Sequence, residues 1–452
     1  MINFKTKHRL ILLFILAVIF ELIWLFIFYQ KHGLMPYLRA SDAMEYEQIA
    51  VNIIHHGTFS LSSYAPFEPS NWRTPIYPLW LAFIYLLSKS FIPAIFIGIF
   101  VFSFTSPLTY LIGREIFNEK IAWFSSILVI FEPYSTFRAG FLLTEQIFVP
   151  LFLATTYFFV RYLKCESNKY LYFLAGLCAI DTLTKPVVIY LFPILIIFII
   201  FFKKRFKFLL LKPVILATII FIIILAPWII RNKLALNTWQ VSSSQGTALY
   251  IYKFGALQYY LGKSKEIMSS YEDVSKLIGG SDNRTQIASD ILTQAATEGI
   301  KKNPIDFIKI SAFSLPDFFI RNSYGNIAYD LGLKDYKLQN KFLLLFESRD
   351  FKGIFTAFKN LTFGDYALLF SAAIWPLILL LGLMGVFVLL KEFSLSKSAI
   401  FSFIIIFLYF DIITSLINDL PRYRLPVQPL LFMFTVAALF FLINKTKKIF
   451  LN

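Results

Sequence analysis

The chain has 452 residues, of which 58% are hydrophobic and only 15% charged, with a formal net charge of +16. That balance excludes an ordinary soluble domain and points to an all-α polytopic membrane protein. The basic excess sits in short connections between apolar segments, so it reports membrane topology and not a nucleic-acid partner.

A transmembrane helix needs ~20 mostly apolar residues. In chain order the candidates are Leu10–Tyr29, Phe91–Gly113, Ile121–Phe137, Thr144–Leu163, Tyr170–Lys185, Pro186–Phe202, Pro213–Ile230, Tyr366–Leu390, Ser398–Leu416 and Leu425–Ile443. Leu10–Tyr29 is long for a signal peptide and lacks a small-residue cleavage site, which makes it a retained span. Lys5, Lys7 and Arg9 precede it and place the N-terminus in the cytoplasm. With one crossing per segment, Arg114 and Lys120, then Arg161, Lys164 and Lys169, fall on that same side. So do Lys203, Lys204, Arg205, Lys207 and Lys212, then Lys391 and Lys397, and finally Lys445, Lys447 and Lys448. Every short cytoplasmic connection is therefore basic, which supports about ten spans in the plasma (inner) membrane with both termini inside.

The agreement requires Thr74–Leu87 not to cross. It is short, it is interrupted by Pro75 and Pro78, and it carries the interfacial residues Trp80 and Tyr85. It reads as a juxtamembrane or re-entrant helix on the outer side. The chain then divides into an N-terminal transmembrane core (1–230), a large outer loop with amphipathic helices (231–365) and C-terminal transmembrane helices (366–452). The core includes a polar first outer loop (30–73) and the juxtamembrane helix (74–87). Within the large loop, Asn303–Ile320 is amphipathic, Pro304 sits at a helix start, and Pro316 is expected to break or kink it. Asn283-Arg284-Thr285 and Asn360-Leu361-Thr362 match glycosylation sequons. Cys165 and Cys178 form no disulfide framework, and His8, His32, His55 and His56 make no metal-binding spacing.

The carboxylates of the outer side carry the chemistry. Asp42, Glu45 and Tyr46 fall on one helical face. Asp42-x-x-Glu45 is either a capping box or the setting of a general base whose pKa apolar surroundings raise. Glu145 opens a span behind Thr144, either as an acid in a capped first turn or as a functional group at membrane depth. Glu132, before Pro133, is a weaker candidate of the same kind. Asp181 and Lys185, four residues apart, read either as an internal ion pair or as Lys185 reaching an outer anion. Arg73, Arg138, Lys185, Arg231, Arg422 and Arg424 all map to outer helix ends and together suggest an anion site. Arginine is well suited to phosphate.

Three segments taken in order carry a resemblance. They are Asp42…Tyr46…Ile49-Ala50, then Arg73-Thr74-Pro75-Ile76-Tyr77-Pro78-Leu79, then Leu143-Thr144-Glu145-Gln146-Ile147-Phe148. With Ala226-Pro227-Trp228-Ile229-Ile230-Arg231-Asn232 and Pro421-Arg422-Tyr423-Arg424-Leu425-Pro426, they resemble the glycosyltransferase C superfamily. The nearest likeness is to its protein O-mannosyltransferase and aminoarabinose-transferase members. The resemblance implies transfer of a sugar from a polyprenyl-phosphate carrier on the non-cytoplasmic face, with inversion. It matches Asp42 to the acid of the first outer loop and Glu145 to the acid after the third span. Many members pair the first acid with a second; Ala43 follows Asp42 here, so a direct metal-binding role is not assigned.

On this reading Asp42 is the base on the acceptor hydroxyl, and Glu145 orients acceptor, donor or a divalent ion. Glu45, Tyr46, Arg73, Arg138, Lys185, Arg231, Arg422 and Arg424 bind substrate, with Lys185, Arg231, Arg422 and Arg424 on the lipid phosphate. The donor sugar is hexosyl or pentosyl, and the acceptor is a lipid, a glycan or a protein. A transporter or flippase of a lipid-linked sugar is the alternative, along with a polysaccharide polymerase or ligase. A transporter needs polar groups at mid-membrane depth, and Asp411 is the main one.

Overall fold

The computed structural model describes residues 4–34, 41–202, 207–264, 269, 271–321, 323–333, 361–392, 397–414 and 421–450. Among these residues the architecture is helical throughout, with no strand. Five helices are long and apolar enough to cross a membrane: Phe4–His32, Ile92–Ile116, Glu145–Cys165, Leu211–Leu236 and Phe363–Leu390. At 1.5 Å per residue each reaches the ~30 Å of a hydrocarbon core. Four shorter apolar helices accompany them, at Ile76–Ser88, Pro186–Phe201, Phe401–Thr414 and Gln428–Asn444. Residues 415 and 416, at the end of the ninth expected span, and Asn360 of the second sequon lie outside the described residues.

Prolines explain where the helices depart from expectation. The segment 121–137 is not one helix: Glu119–Phe131 ends, and Pro133–Arg138 starts a separate short one. Glu132 takes the extended conformation that a following proline imposes. Its carboxylate then accepts from the backbone N–H groups of Tyr134 and Ser135 at 3.2 and 2.7 Å, so Glu132 serves as a helix cap. Pro186 acts the same way on Lys185, which leaves the helix Asn168–Thr184 in extended backbone. Lys185 is thereby carried off the helical face of Asp181, and of the two readings of this pair the internal ion pair does not form. Asp181 accepts instead from Thr155 Oγ1 at 2.6 Å. Pro316, by contrast, is contained inside the helix Pro304–Ile320, which continues past it without the expected break.

The helix Ile76–Ser88 has 13 residues, ~20 Å, as Glu119–Phe131 has, short of the ~30 Å of a hydrocarbon core. It lies beneath the helix Ser41–His56, with the rings of Tyr46 and Tyr77 edge to face, centroids 4.9 Å apart. Tyr77 O–H donates to Gln146 Oε1 at 2.9 Å, and Gln146 Nε2 donates to the carbonyl of Ala139 at 2.8 Å. Gly98 admits this carboxamide: a Cβ there would stand 2.1 Å from Gln146 Nε2. A buried polar link thus ties three segments together directly below the carboxylates. Beyond the bundle, the region expected as the large outer loop is folded into helices, among them Gln286–Lys302, Pro304–Ile320 and Tyr324–Asp330.

Candidate active site

The helix Ser41–His56 presents Asp42, Glu45 and Tyr46 on one face, as the three- and four-residue spacing requires. Neither carboxylate closes a capping box with the other; both turn to cations. Asp42 Oδ1 receives Arg73 Nη2 at 2.7 Å, and Asp42 Oδ2 receives Arg422 Nη1 at 2.7 Å. Glu45 Oε2 receives Arg73 Nε at 2.6 Å and the Trp72 indole N–H at 2.9 Å. Arg73 also stands 5.0 Å over the Tyr46 ring.

A second acid joins from below. Glu145 opens its helix, but Thr144 makes no capping bond to the backbone; its hydroxyl donates to Glu145 Oε2 at 3.1 Å. Lys185, released from its helix by Pro186, donates to Glu145 Oε1 at 2.7 Å. Arg422 Nε lies 3.6 Å from the same oxygen, so one guanidinium bridges Asp42 and Glu145. Lys185 Nζ sits 4.7 Å over the Tyr423 ring. Asp42, Arg73, Lys185, Arg422 and Tyr423 line a cavity of about 100 Å³, walled also by Tyr46, Trp72 and Ser244, with Glu45 and Glu145 behind the wall.

The electrostatics follow from this pairing. Burial pushes the Asp42 carboxyl up, but Arg422 and Arg73 outweigh it and hold the group well below the usual carboxylate range. The expectation that apolar surroundings raise its pKa is therefore corrected: two guanidiniums at 2.7 Å decide the sign. Arg73 is disfavoured by burial yet raised by Tyr46, Asp42 and Glu45. Each ion pair is largely out of water, where stability depends on both partners staying matched.

The six cations read as one anion site separate into two groups. Arg73, Lys185 and Arg422 converge on the cavity. Arg231 donates to the carbonyls of Ser70 at 2.7 Å and Phe59 at 3.1 Å, fastening the first loop to the long helix. Arg138 lies 3.5 Å from Asp330 Oδ2 and 4.8 Å over the Phe141 ring. Arg424 donates to the carbonyls of Phe319 and Arg321 and stands 3.4 Å over the Trp375 ring. Four further groups at the site had no role in the sequence reading: Trp72, Ser244, Tyr423 and Arg284, which reaches Glu45 Oε1 at 3.7 Å. Trp72 and Tyr423 were signalled by adjacency to Arg73 and Arg422. Arg284, far along the chain, was singled out only inside a sequon, whose Thr285 hydroxyl caps the following helix through Ala288 N–H at 3.2 Å.

A divalent ion would need a converging set of free oxygen donors. Among the described residues no group of three His, Cys, Asp or Glu side chains converges. The nearest carboxylate oxygens are taken by guanidinium and ammonium groups. An ion could enter only by displacing them.

With this geometry in view, residues 73–230 match the dolichyl-phosphate-mannose-protein mannosyltransferase family. No curated protein matches the chain. The oligosaccharyltransferase of Archaeoglobus fulgidus, tethered to an acceptor peptide containing the NVT sequon, is similar at 11% identity and TM-score 0.51. The similarity covers 98% of this chain and 50% of that one. The same enzyme in complex with Zn and sulfate aligns at 14% identity and TM-score 0.49, over 95% of this chain and 49% of that one. ArnT from Cupriavidus metallidurans, bound to undecaprenyl phosphate, aligns at 13% identity and TM-score 0.41, over 93% and 76%. The chain spans about half the length of the oligosaccharyltransferase that it matches.

Proposed function

We propose that this chain, a helical membrane protein of the glycosyltransferase C superfamily, transfers a sugar from a polyprenyl-phosphate carrier to an acceptor hydroxyl. The observation that carries the reading is the Asp42–Arg422–Glu145 bridge, flanked by Arg73 and Lys185, around a cavity walled by aromatic rings. The match of residues 73–230 to a family named for a dolichyl-phosphate-mannose donor supports the same chemistry.

In the reaction the acceptor oxygen attacks the anomeric carbon while the bond from that carbon to the phosphate oxygen breaks. Asp42 takes the acceptor proton, and the polyprenyl phosphate leaves as an anion. Charge grows on the phosphate oxygens, and Arg73, Arg422 and Lys185 are fixed donors placed to receive it. A single displacement inverts the anomeric centre. As the phosphate draws Arg73 and Arg422 toward itself, Asp42 loses the cations that hold its pKa down and becomes a stronger base. Glu145 keeps Lys185 and Arg422 in place and through them orients the donor. The basic short connections support an outer-face site with both termini in the cytoplasm.

The test is sugar transfer by the purified protein from synthetic polyprenyl-phosphate sugars, wild type beside Asp42→Asn. Release of polyprenyl phosphate by the wild type alone is the expected result. Equal release by the variant would remove Asp42 from its role. A transport reading draws on two buried acids within the bundle, Asp181 and Asp411, each with one carboxylate oxygen lacking a partner. Protein that binds these lipids, releases no sugar and moves them across vesicles would favour it. A longer glycan donor, as in a polymerase or ligase, would keep the same phosphate chemistry.

A further inference from the structure

A second and larger cleft lies beside the catalytic cavity. Its volume is about 520 Å³, within the ~300–1,000 Å³ of small-molecule sites. Three segments bound it: the stretch 61–71 of the first loop, the end of the long helix at 234–237, and the turn 282–287 that opens the helix Gln286–Lys302. The two cavities share a wall. Asn71 lines the cleft, and the next two residues, Trp72 and Arg73, line the catalytic cavity. Ser243 N–H donates to the Asn71 carbonyl at 3.2 Å, and Ser242 Oγ to the Trp72 carbonyl at 2.7 Å, holding that wall from behind. Arg284 lines the cleft and reaches Glu45 at 3.7 Å; Glu45 holds Arg73, and Arg73 holds Asp42. One run of ion pairs thus leads from the cleft to the proposed base.

The lining has the chemistry of a neutral, hydroxyl-rich ligand. Carboxamides and hydroxyls dominate its polar part. The Asp282–Arg284 pair is closed on itself by hydrogen bonds of 2.7 to 3.0 Å, and Glu68, exposed at the rim, adds a carboxylate that accepts from ligand hydroxyls. Asn71 is almost fully buried and donates to Gln286 Oε1 at 2.8 Å. Its own carbonyl oxygen, Oδ1, has no partner among the described residues. A buried acceptor without a donor is unfavourable, and a turn of the side chain toward the cleft would let a ligand O–H satisfy it. A lipid chain could not use these groups.

We propose that this cleft binds the acceptor as an uncharged oligosaccharide, whose terminal hydroxyl passes Trp72 to reach Asp42. The word acceptor rests on the transferase reading above; the binding of sugar does not.

The experiment is ligand-detected NMR on the full chain in nanodiscs, with mannotriose and chitotriose as probes and a Ser/Thr-rich decapeptide as the rival. Ile287 and Leu234 line the cleft and are 74% and 83% exposed, so Ile287→Trp and Leu234→Trp add bulk there without disturbing a core. At least one triose should bind saturably, and each variant should weaken it at least tenfold. Failure of both trioses to bind, affinity untouched by both variants, or binding of the decapeptide alone would overturn the proposal. Sugar release from the lipid donor is measured on the same preparation. Triose binding without release would sink the transferase reading and leave the cleft standing. Release by a protein whose triose affinity ignores both variants would do the reverse.

Discussion

Arg422 and Arg424 stand two residues apart in one short 3₁₀ turn, Pro421–Arg424, and live in opposite surroundings. With three residues per turn, positions two apart face different ways. Arg422 turns to Asp42 and Glu145, which outweigh its burial and lift it above the usual arginine range. Arg424 turns to the backbone carbonyls of Phe319 and Arg321 and to the Trp375 ring, and burial pulls it down to about 10. One arginine is matched by carboxylates that a phosphate can replace; the other is matched by carbonyls and a ring that nothing replaces. Charge in the sequence is thus a poor guide to function until the partner is known. A cation facing mobile anions can serve chemistry, whereas one facing the backbone serves the fold.

The comparison breaks most visibly through the partner that gives Arg422 its role. Asp42→Asn should lower sugar transfer per folded molecule by about 10²–10⁴-fold, the range of general-base catalysis, with a lowered thermal midpoint that Glu45 and Glu145 limit by keeping an acceptor on each arginine. Transfer assays beside melting curves check both halves. Arg422→Gln should cost about 10²–10³-fold in transfer, the loss of one fixed donor to a developing anion. Arg424→Gln should do the opposite: it strands buried carbonyls at about 1–3 kcal/mol and lowers the melting midpoint, while activity per folded molecule stays near wild type. If the two variants lose activity and stability in the same proportion, the contrast fails.

A subtler effect concerns pH. In the free protein Asp42 is held below the usual carboxylate range, so it is ionised, and its function present, at every pH above that depressed pKa. Activity is lost only as pH falls through it. Arg73→Gln removes one of the two cations, raises the Asp42 pKa, and should move the acidic limb of kcat/KM toward higher pH. A limb that stays in place would show that Asp42 is not the titrating base. The smallest expected change is in Arg424→Lys, which keeps the charge but loses the planar stack on Trp375, worth about 0.5–2 kcal/mol. Its midpoint should fall between wild type and Arg424→Gln.

The helical fold was legible because apolar segments of ~20 residues have few other solutions. Ile76–Ser88 was legible as a short separate helix from its length and its two prolines. Asp42 and Glu145 could be picked out because acids beside apolar runs are scarce. Their partners could not. Whether Lys185 faces Asp181 or Glu145 turns on one backbone angle that Pro186 imposes, and helical spacing alone favoured the wrong acid. Arg424 and Arg231 looked like phosphate ligands because backbone carbonyls, their true partners, leave no mark in a sequence. The pKa of Asp42 was misjudged for the same reason: its sign depends on two arginines that lie 31 and 380 positions away.

Asp42, Glu45 and Glu145 set against Arg73, Lys185 and Arg422 leave the site without net charge. Such a site exerts little long-range pull, so abundant membrane anions and free phosphate gain nothing by approaching it. Entry requires exchanging internal ion pairs for external ones, and a bare phosphate offers roughly what it takes away. Only a molecule that brings a phosphate to the arginines and hydroxyls to the freed carboxylates at once makes the exchange favourable. On the proposed function the neutral cluster acts as a two-key lock: it discriminates against the crowd of simpler anions before any chemistry begins.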